Sequence, residues 1–122
     1  AQGLVAIQHP TRSGEVLGHI QLAEKAVATS GGYEKFVEID GRRYGHIIDP
    51  RTGYPASDIE SVTVVADEGV ASDALSTACF VLGTDACVDL VSDRERTECV
   101  VVWMEEDSLF IRVSEGLALL KP

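Results

Sequence analysis

No stretch of this sequence reaches the ~18 consecutive apolar residues that a membrane-crossing helix needs. Basic residues are scarce: ten Lys and Arg stand against twenty Asp and Glu, for a formal charge of −10. So acidic a chain repels nucleic-acid phosphates and anionic lipid, and the main effect of its charge is solubility. The opening AQGLVAIQHP has neither the basic flank nor the long apolar region of a secretory signal. It also lacks an initiator Met, so the chain is expected to be a processed or excised piece. Cysteine is sparse, at Cys79, Cys87 and Cys99. An odd number cannot all pair within one chain, and the spacings fit no zinc pattern. Cys79 and Cys87 fall in apolar helical contexts, so the expectation is buried, reduced thiols acting as small hydrophobes. Repeats, low-complexity segments and linkers are absent as well.

What remains describes one globular domain. A hydrophobic fraction of 45% over 122 residues argues for a real core and against disorder. Residues 16–22 and 26–30 read as short strands. In EKFVEIDGRRYGHII, Val37 and Ile39 alternate with polar neighbours, and Asp40-Gly41 is the dipeptide favoured in tight hairpins. The returning strand, Arg42 to Ile48, carries His46 near its end. ESVTVVA (60–66) is a β-branched, buried strand. VASDALSTACFVLG then takes helical period, with Val70, Ala71, Ala74, Leu75, Ala78 and Leu82 on one face. Asp67 is the expected N-cap and Gly83 the expected stop. Residues 84–93 read as a second, shorter helix, and 97–114 as a final hairpin turning at Glu105 to Ser108. Trp103 belongs to that hairpin's core, and MEED to its solvated turn. The fold class is α+β, with a mainly antiparallel sheet and two helices after the third or fourth strand.

Three stretches carry chemistry. On the helix over 70–82, Asp73 and Thr77 are four apart and share a face, whereas Ser76 points about 100° away. A carboxylate and a hydroxyl are hard oxygen ligands of the kind Mg²⁺ takes beside phosphates and waters. Equally, Asp73 can be a solvated first-turn acid and Thr77 a hydroxyl bonded back to the preceding turn. In YGHIIDPRTGYP, Pro50 presets φ, Gly53 admits positive φ and Asp49 bonds the backbone ahead, so good turn chemistry also accounts for it. TSGGYEKF (29–36) is a second glycine-bearing turn, whose N–H groups around Gly31 and Gly32 can face an anion.

Taken in order, ATSGGYEKF, YGHIIDPRTGYP and ASDALSTACFVLG strongly resemble the C-terminal half of the FAD:protein FMN transferases, the ApbE-like flavin transferases. The resemblance runs over essentially the whole chain, with GLVAIQHP as the strand and turn leading into the core. It implies that residues 1–122 are the C-terminal portion of a larger flavin transferase domain. It implies a Mg²⁺-dependent enzyme that cleaves the pyrophosphate of FAD, places FMN on a Thr or Ser hydroxyl of an acceptor flavoprotein and releases AMP. Asp73 and Thr77 match the family's side-chain metal ligands. His46 matches the histidine at the flavin site, and the backbone at Ile47 and Ile48 matches the segment lining FAD. Two positions depart from the pattern. Ser76 stands where some members carry a further acid, and Gly32 stands where the family often has Asp.

The family chain is more than twice as long. Its N-terminal half, absent here, carries a further metal-contacting carbonyl, a lysine and much of the flavin surface. The chain alone is therefore expected to bind FAD and Mg²⁺ weakly, and to self-associate over an apolar sheet edge or face. Two other functions stay open: a Mg²⁺-dependent FAD pyrophosphatase giving FMN and AMP, and a non-catalytic flavin-binding or scaffold fragment. A redox flavoprotein finds no support, because no residue is placed to tune a flavin ring. By resemblance, the acceptor can be a subunit of a membrane redox pump. The parent is expected in a periplasmic or extracytoplasmic compartment, membrane-anchored in some arrangements.

Overall fold

The SVTVVA run, strand β6 (Ser61–Ala66), is buried at all six positions. A strand reads as an unbroken β-branched run when both of its faces are covered, and that is the case here. The computed structural model describes residues 2–9, 12, 14–31, 36–39, 42–45, 59–106 and 108–120. Its strands begin with β1 (Gln2–Gln8), β2 (Val16–Ala23) and β3 (Ala26–Gly31), then β4 (Phe36–Ile39) and β5 (Arg42–Gly45). After β6 come two helices, α1 (Gly69–Leu82) and α2 (Thr84–Ser92), and then β7 (Glu98–Glu105), β8 (Ser108–Val113) and β9 (Leu119–Leu120).

The strands form an antiparallel four-stranded sheet in the order β3-β6-β7-β8, an antiparallel three-stranded sheet in the order β1-β2-β9, and the hairpin β4-β5. Alternation on β6 and β7 sorts the core into two. Val62, Val64, Cys99 and Val101 pack with Leu75, Cys79, Phe80, Cys87 and Val91 of the helices. Val65, Val100 and Val102 pack from the other face with Ile7 and Ile20 of the three-stranded sheet. The chain is thus layered as helices, central sheet, second sheet. Close approach joins the end of the chain to the second sheet. A Cβ on Gly18 would lie 2.6 Å from the carbonyl oxygen of Leu120, so only glycine lets β9 lie against β2.

The α+β class holds, with two refinements. The helices follow the sixth strand rather than the third or fourth, because β1 and the short β4–β5 hairpin also count as strands. The antiparallel pairing is divided among three sheets. The β4–β5 register brings Ile39 opposite Arg42, in keeping with the expected hairpin, while Asp40 and Gly41 lie outside the described residues. The final hairpin turns where expected, with Glu106 at φ 56°. Trp103 is half-buried against the helix-side core and stacks on Phe110 at 5.6 Å, while Glu105 and Glu106 are exposed.

Two sets of expectations are corrected, the first for α1. Its buried face is Ser72, Leu75, Ser76, Cys79 and Phe80, not the expected stripe from Val70 to Leu82, of which Val70, Ala74 and Leu82 are exposed. Asp67 does not cap α1: the N-cap residue is Glu68, without a side-chain cap bond. Both oxygens of Asp67 are taken by cations instead. Lys25 Nζ donates to one at 2.6 Å and Arg96 Nε to the other at 2.7 Å. Lys25 also donates to the Arg96 carbonyl. First the Lys25 bond, then the Arg96 bond, hold the Asp67 carboxyl below its ordinary range. The second correction concerns the thiols. Gly83, at φ 94°, ends α1 as expected and at once starts α2. The reversal brings Cys79 and Cys87 to a Cα separation of 4.5 Å, where they form a disulfide. Cys99 alone remains the buried free thiol that was expected of all three.

Candidate functional site

Helix α1 presents two faces. Ser72, Leu75, Ser76, Cys79 and Phe80 are buried against the central sheet. Asp73 and Thr77 lie one turn apart and are exposed. Among the described residues no hydrogen bond or ion pair engages the Asp73 carboxylate, so the plain reading of a solvated acid and the reading of a ligand share this geometry. Thr77 has a neighbour that no local spacing announces. Ser30, on the edge strand β3, pairs with Val62 of β6 and therefore faces the helix layer. Its Oγ lies 2.9 Å from Ser76 Oγ and 3.5 Å from Thr77 Oγ1. Ser76 Oγ in turn donates to the backbone carbonyl of Asp73 at 3.0 Å.

This arrangement joins two of the three sequence stretches. Ser30, the second residue of TSGGYEKF, meets Ser76 and Thr77 of ASDALSTACF through hydroxyls. Ser76, fully buried, turns toward β3 and away from the exposed Asp73–Thr77 face. It cannot take the place of the further acid that some family members carry there. Ser30 itself was missed as a site residue. The available signal was strand parity, which places it on the face of β3 that meets α1.

Of the third stretch only Tyr44 and Gly45 are among the described residues. His46, Ile47 and Ile48, together with Asp49, Pro50 and Gly53, lie outside the described residues, as does Gly32. Strand β5 ends at Gly45, the residue before His46. Among the described residues no three of His, Cys, Asp and Glu converge as a metal cluster. The donor set at Asp73 and Thr77 is one carboxylate and one hydroxyl, both exposed. That suits a hard cation such as Mg²⁺, which keeps several waters and relies on few protein ligands. It does not suit a metal that needs a full protein cage.

The comparisons bear on the whole chain. The model of the ApbE family matches residues 3–101. A FAD:protein FMN transferase of Treponema pallidum is 39% identical over 99 residues, covering 80% of this chain and 26% of the relative. One from Escherichia coli K12 is 37% identical over 106 residues, covering 85% of this chain and 30% of the relative. The crystal structure of an ApbE protein from Thermotoga maritima superposes with a TM-score of 0.79 at 38% identity, over 94% of this chain and 37% of that one. The flavin transferase ApbE from Vibrio cholerae superposes at 0.76 with 28% identity, over 93% of this chain and 36% of that one. This chain thus spans roughly a third of the length of these proteins, and it agrees with them in sequence and in fold across nearly all of its own. It belongs to the ApbE family.

Proposed function

We propose that residues 1–122 are the C-terminal portion of a Mg²⁺-dependent FAD:protein FMN transferase, one that moves FMN from FAD to a Thr or Ser hydroxyl of an acceptor flavoprotein and releases AMP. One observation carries this reading. In a chain of this family, α1 holds Asp73 and Thr77 exposed and a turn apart, with the carboxylate free of protein partners among the described residues. The names of the relatives, FAD:protein FMN transferase, support the same activity.

Asp73 and Thr77 would hold the metal, which would neutralise charge building on the pyrophosphate as it is attacked. The other tasks fall to the chain itself. The acceptor Oγ forms a bond to the FMN phosphorus, the pyrophosphate P–O bond breaks, and AMP leaves with that oxygen. His46 accepts the proton that the attacking hydroxyl loses, a contribution of typically ~10²–10⁴-fold. The backbone at Ile47 and Ile48 lines the bound FAD. The rest of the flavin surface belongs to polypeptide beyond this chain, which alone would leave FAD resting on one wall.

The Cys79–Cys87 disulfide supports a periplasmic or other extracytoplasmic setting, since such bonds persist in oxidising compartments. There the acceptor would be a flavoprotein such as a subunit of a membrane redox pump. Self-association of the isolated chain would cover β8, the outer strand of the central sheet, where Phe110 and Ile111 are 39% and 36% exposed.

The test uses the complete polypeptide with FAD, Mg²⁺ and an acceptor peptide carrying the target threonine. The expected products are AMP and a peptide heavier by one FMN. Free FMN and AMP with an unmodified peptide would identify a pyrophosphatase instead. No cleavage of FAD at all would leave the scaffold reading.

A further inference from the structure

The three hydroxyls between β3 and α1 have a fixed direction. A serine or threonine hydroxyl has one proton to donate and two lone pairs to accept with. Ser76 spends its proton on the Asp73 carbonyl, which can only accept. In the 2.9 Å contact between Ser30 and Ser76, the donor must then be Ser30. With the Ser30 proton committed, the contact to Thr77, at 3.5 Å a weak one beside the 2.9 Å bond, can be made only by the Thr77 proton. The chain of donation runs from Thr77 to Ser30, to Ser76, to the backbone of Asp73.

We infer that Ser30 is a positioning residue. By accepting the Thr77 proton, it draws that proton toward β3 and leaves the Thr77 oxygen lone pairs facing outward, on the side shared with Asp73. A hydroxyl that binds a cation needs this arrangement, with a lone pair on the ion and its proton on an outer acceptor. The relay closes on Asp73's own main chain, so one network ties the hydroxyl to the backbone of the neighbouring acid. Ser76 serves the same network from a fully buried position.

This inference rests on the reading of Asp73 and Thr77 as metal ligands, and the experiment separates the two. In the complete polypeptide, Mn²⁺ binding is measured by electron paramagnetic resonance and Mg²⁺ binding by calorimetry. FAD affinity is measured separately in chelator. Ser30→Ala is expected to weaken cation binding by about 10-fold, the lower end for loss of an outer partner, and to leave metal-free FAD affinity unchanged. Ser30→Thr, which keeps the hydroxyl, restores cation binding. Ser76→Ala weakens it too, although Ser76 reaches Thr77 only through Ser30, and serves if Ser30→Ala does not fold. Unchanged cation affinity in both alanine variants, while Thr77→Ala loses it, overturns the relay and leaves the metal reading standing. Unchanged affinity in Asp73→Ala and Thr77→Ala overturns both.

Discussion

Removing the Cys79–Cys87 bond is the most direct perturbation of the helix layer, because it touches no residue of the proposed site. The bond closes a short loop, with a sequence separation of 8. Chain entropy in the unfolded state then assigns it about 2.5 kcal/mol. Over a domain of 122 residues that corresponds to a fall of about 10 °C in Tm. The double variant Cys79→Ala/Cys87→Ala should show that fall by circular dichroism. The same fall should appear when the parent chain is melted in a thiol reductant, and reductant should do nothing further to the variant. A thiol count settles the pairing independently. In denaturant without reductant, oxidised chain should expose one thiol, that of Cys99, and after reduction three. The chain is kept folded near pH 7 until denaturant is added, so that exchange does not precede the count. Burial raises the Cys99 thiol to about 11, so the thiolate fraction at pH 7 is on the order of 10⁻⁴. Three thiols in the unreduced protein, with a Tm indifferent to reductant, would refute the reasoning.

Four further outcomes are expected. Asp73→Ala in the complete enzyme should lower Mg²⁺-dependent FAD cleavage by about 10³-fold with its melt preserved, and near-normal turnover would count against the ligand role. Asp67→Asn should destabilise the chain at neutral pH and progressively less in acid. A lowered carboxyl contributes stability above its unfolded value of 3.8 and loses it as pH falls through the folded one, so a stability gap that persists well below that range would contradict the clamp. Cys99 works in the opposite sense. Its raised thiol contributes stability below 9.0, lost as pH rises toward about 11, and Cys99→Ala should flatten that alkaline limb in pH-dependent melts. Gly18→Ala drives a Cβ into the Leu120 carbonyl and Leu119 side chain, and should cost about 1–3 kcal/mol in denaturant titration while releasing the β9 amides to hydrogen exchange.

Local patterning carried the sequence reading where one stretch determines its own structure. Alternation around Asp40-Gly41 located a hairpin whose register places Ile39 opposite Arg42. The β-branched run at 61–66 located a strand buried on both faces. Helical period located α1 and α2 with Gly83 between them. Failures came where a partner lies in another element. Asp67 had the chemistry of a cap, but Lys25 and Arg96, 42 and 29 residues away, claimed both of its oxygens. The cysteines read correctly as buried and incorrectly as unpaired, because helical period says nothing about how sharply a chain reverses at Gly83. Two-residue β9 carries no periodicity at all, and its pairing depends on the bare backbone of Gly18. At the site, the spacing of Asp73 and Thr77 was legible within one helix. The Ser30 contact required knowing that β3 runs alongside α1.

Strand β6 belongs to both halves of the core, with Val62 and Val64 on the helix side and Val65 on the other. Such a strand couples the layers energetically. Loosening the helices uncovers one row of its side chains, detaching the second sheet uncovers the other, and either event weakens the ladder that supports both. The layers therefore cannot behave as independent folding units, and the chain should lose them in a single cooperative transition despite its two clusters. The amides of β6, flanked by β3 and β7, should be the last to exchange with deuterium, opening only when the whole molecule does. Ser30 is paired to this strand through Val62, so the geometry of the hydroxyl relay inherits the slowest clock in the protein.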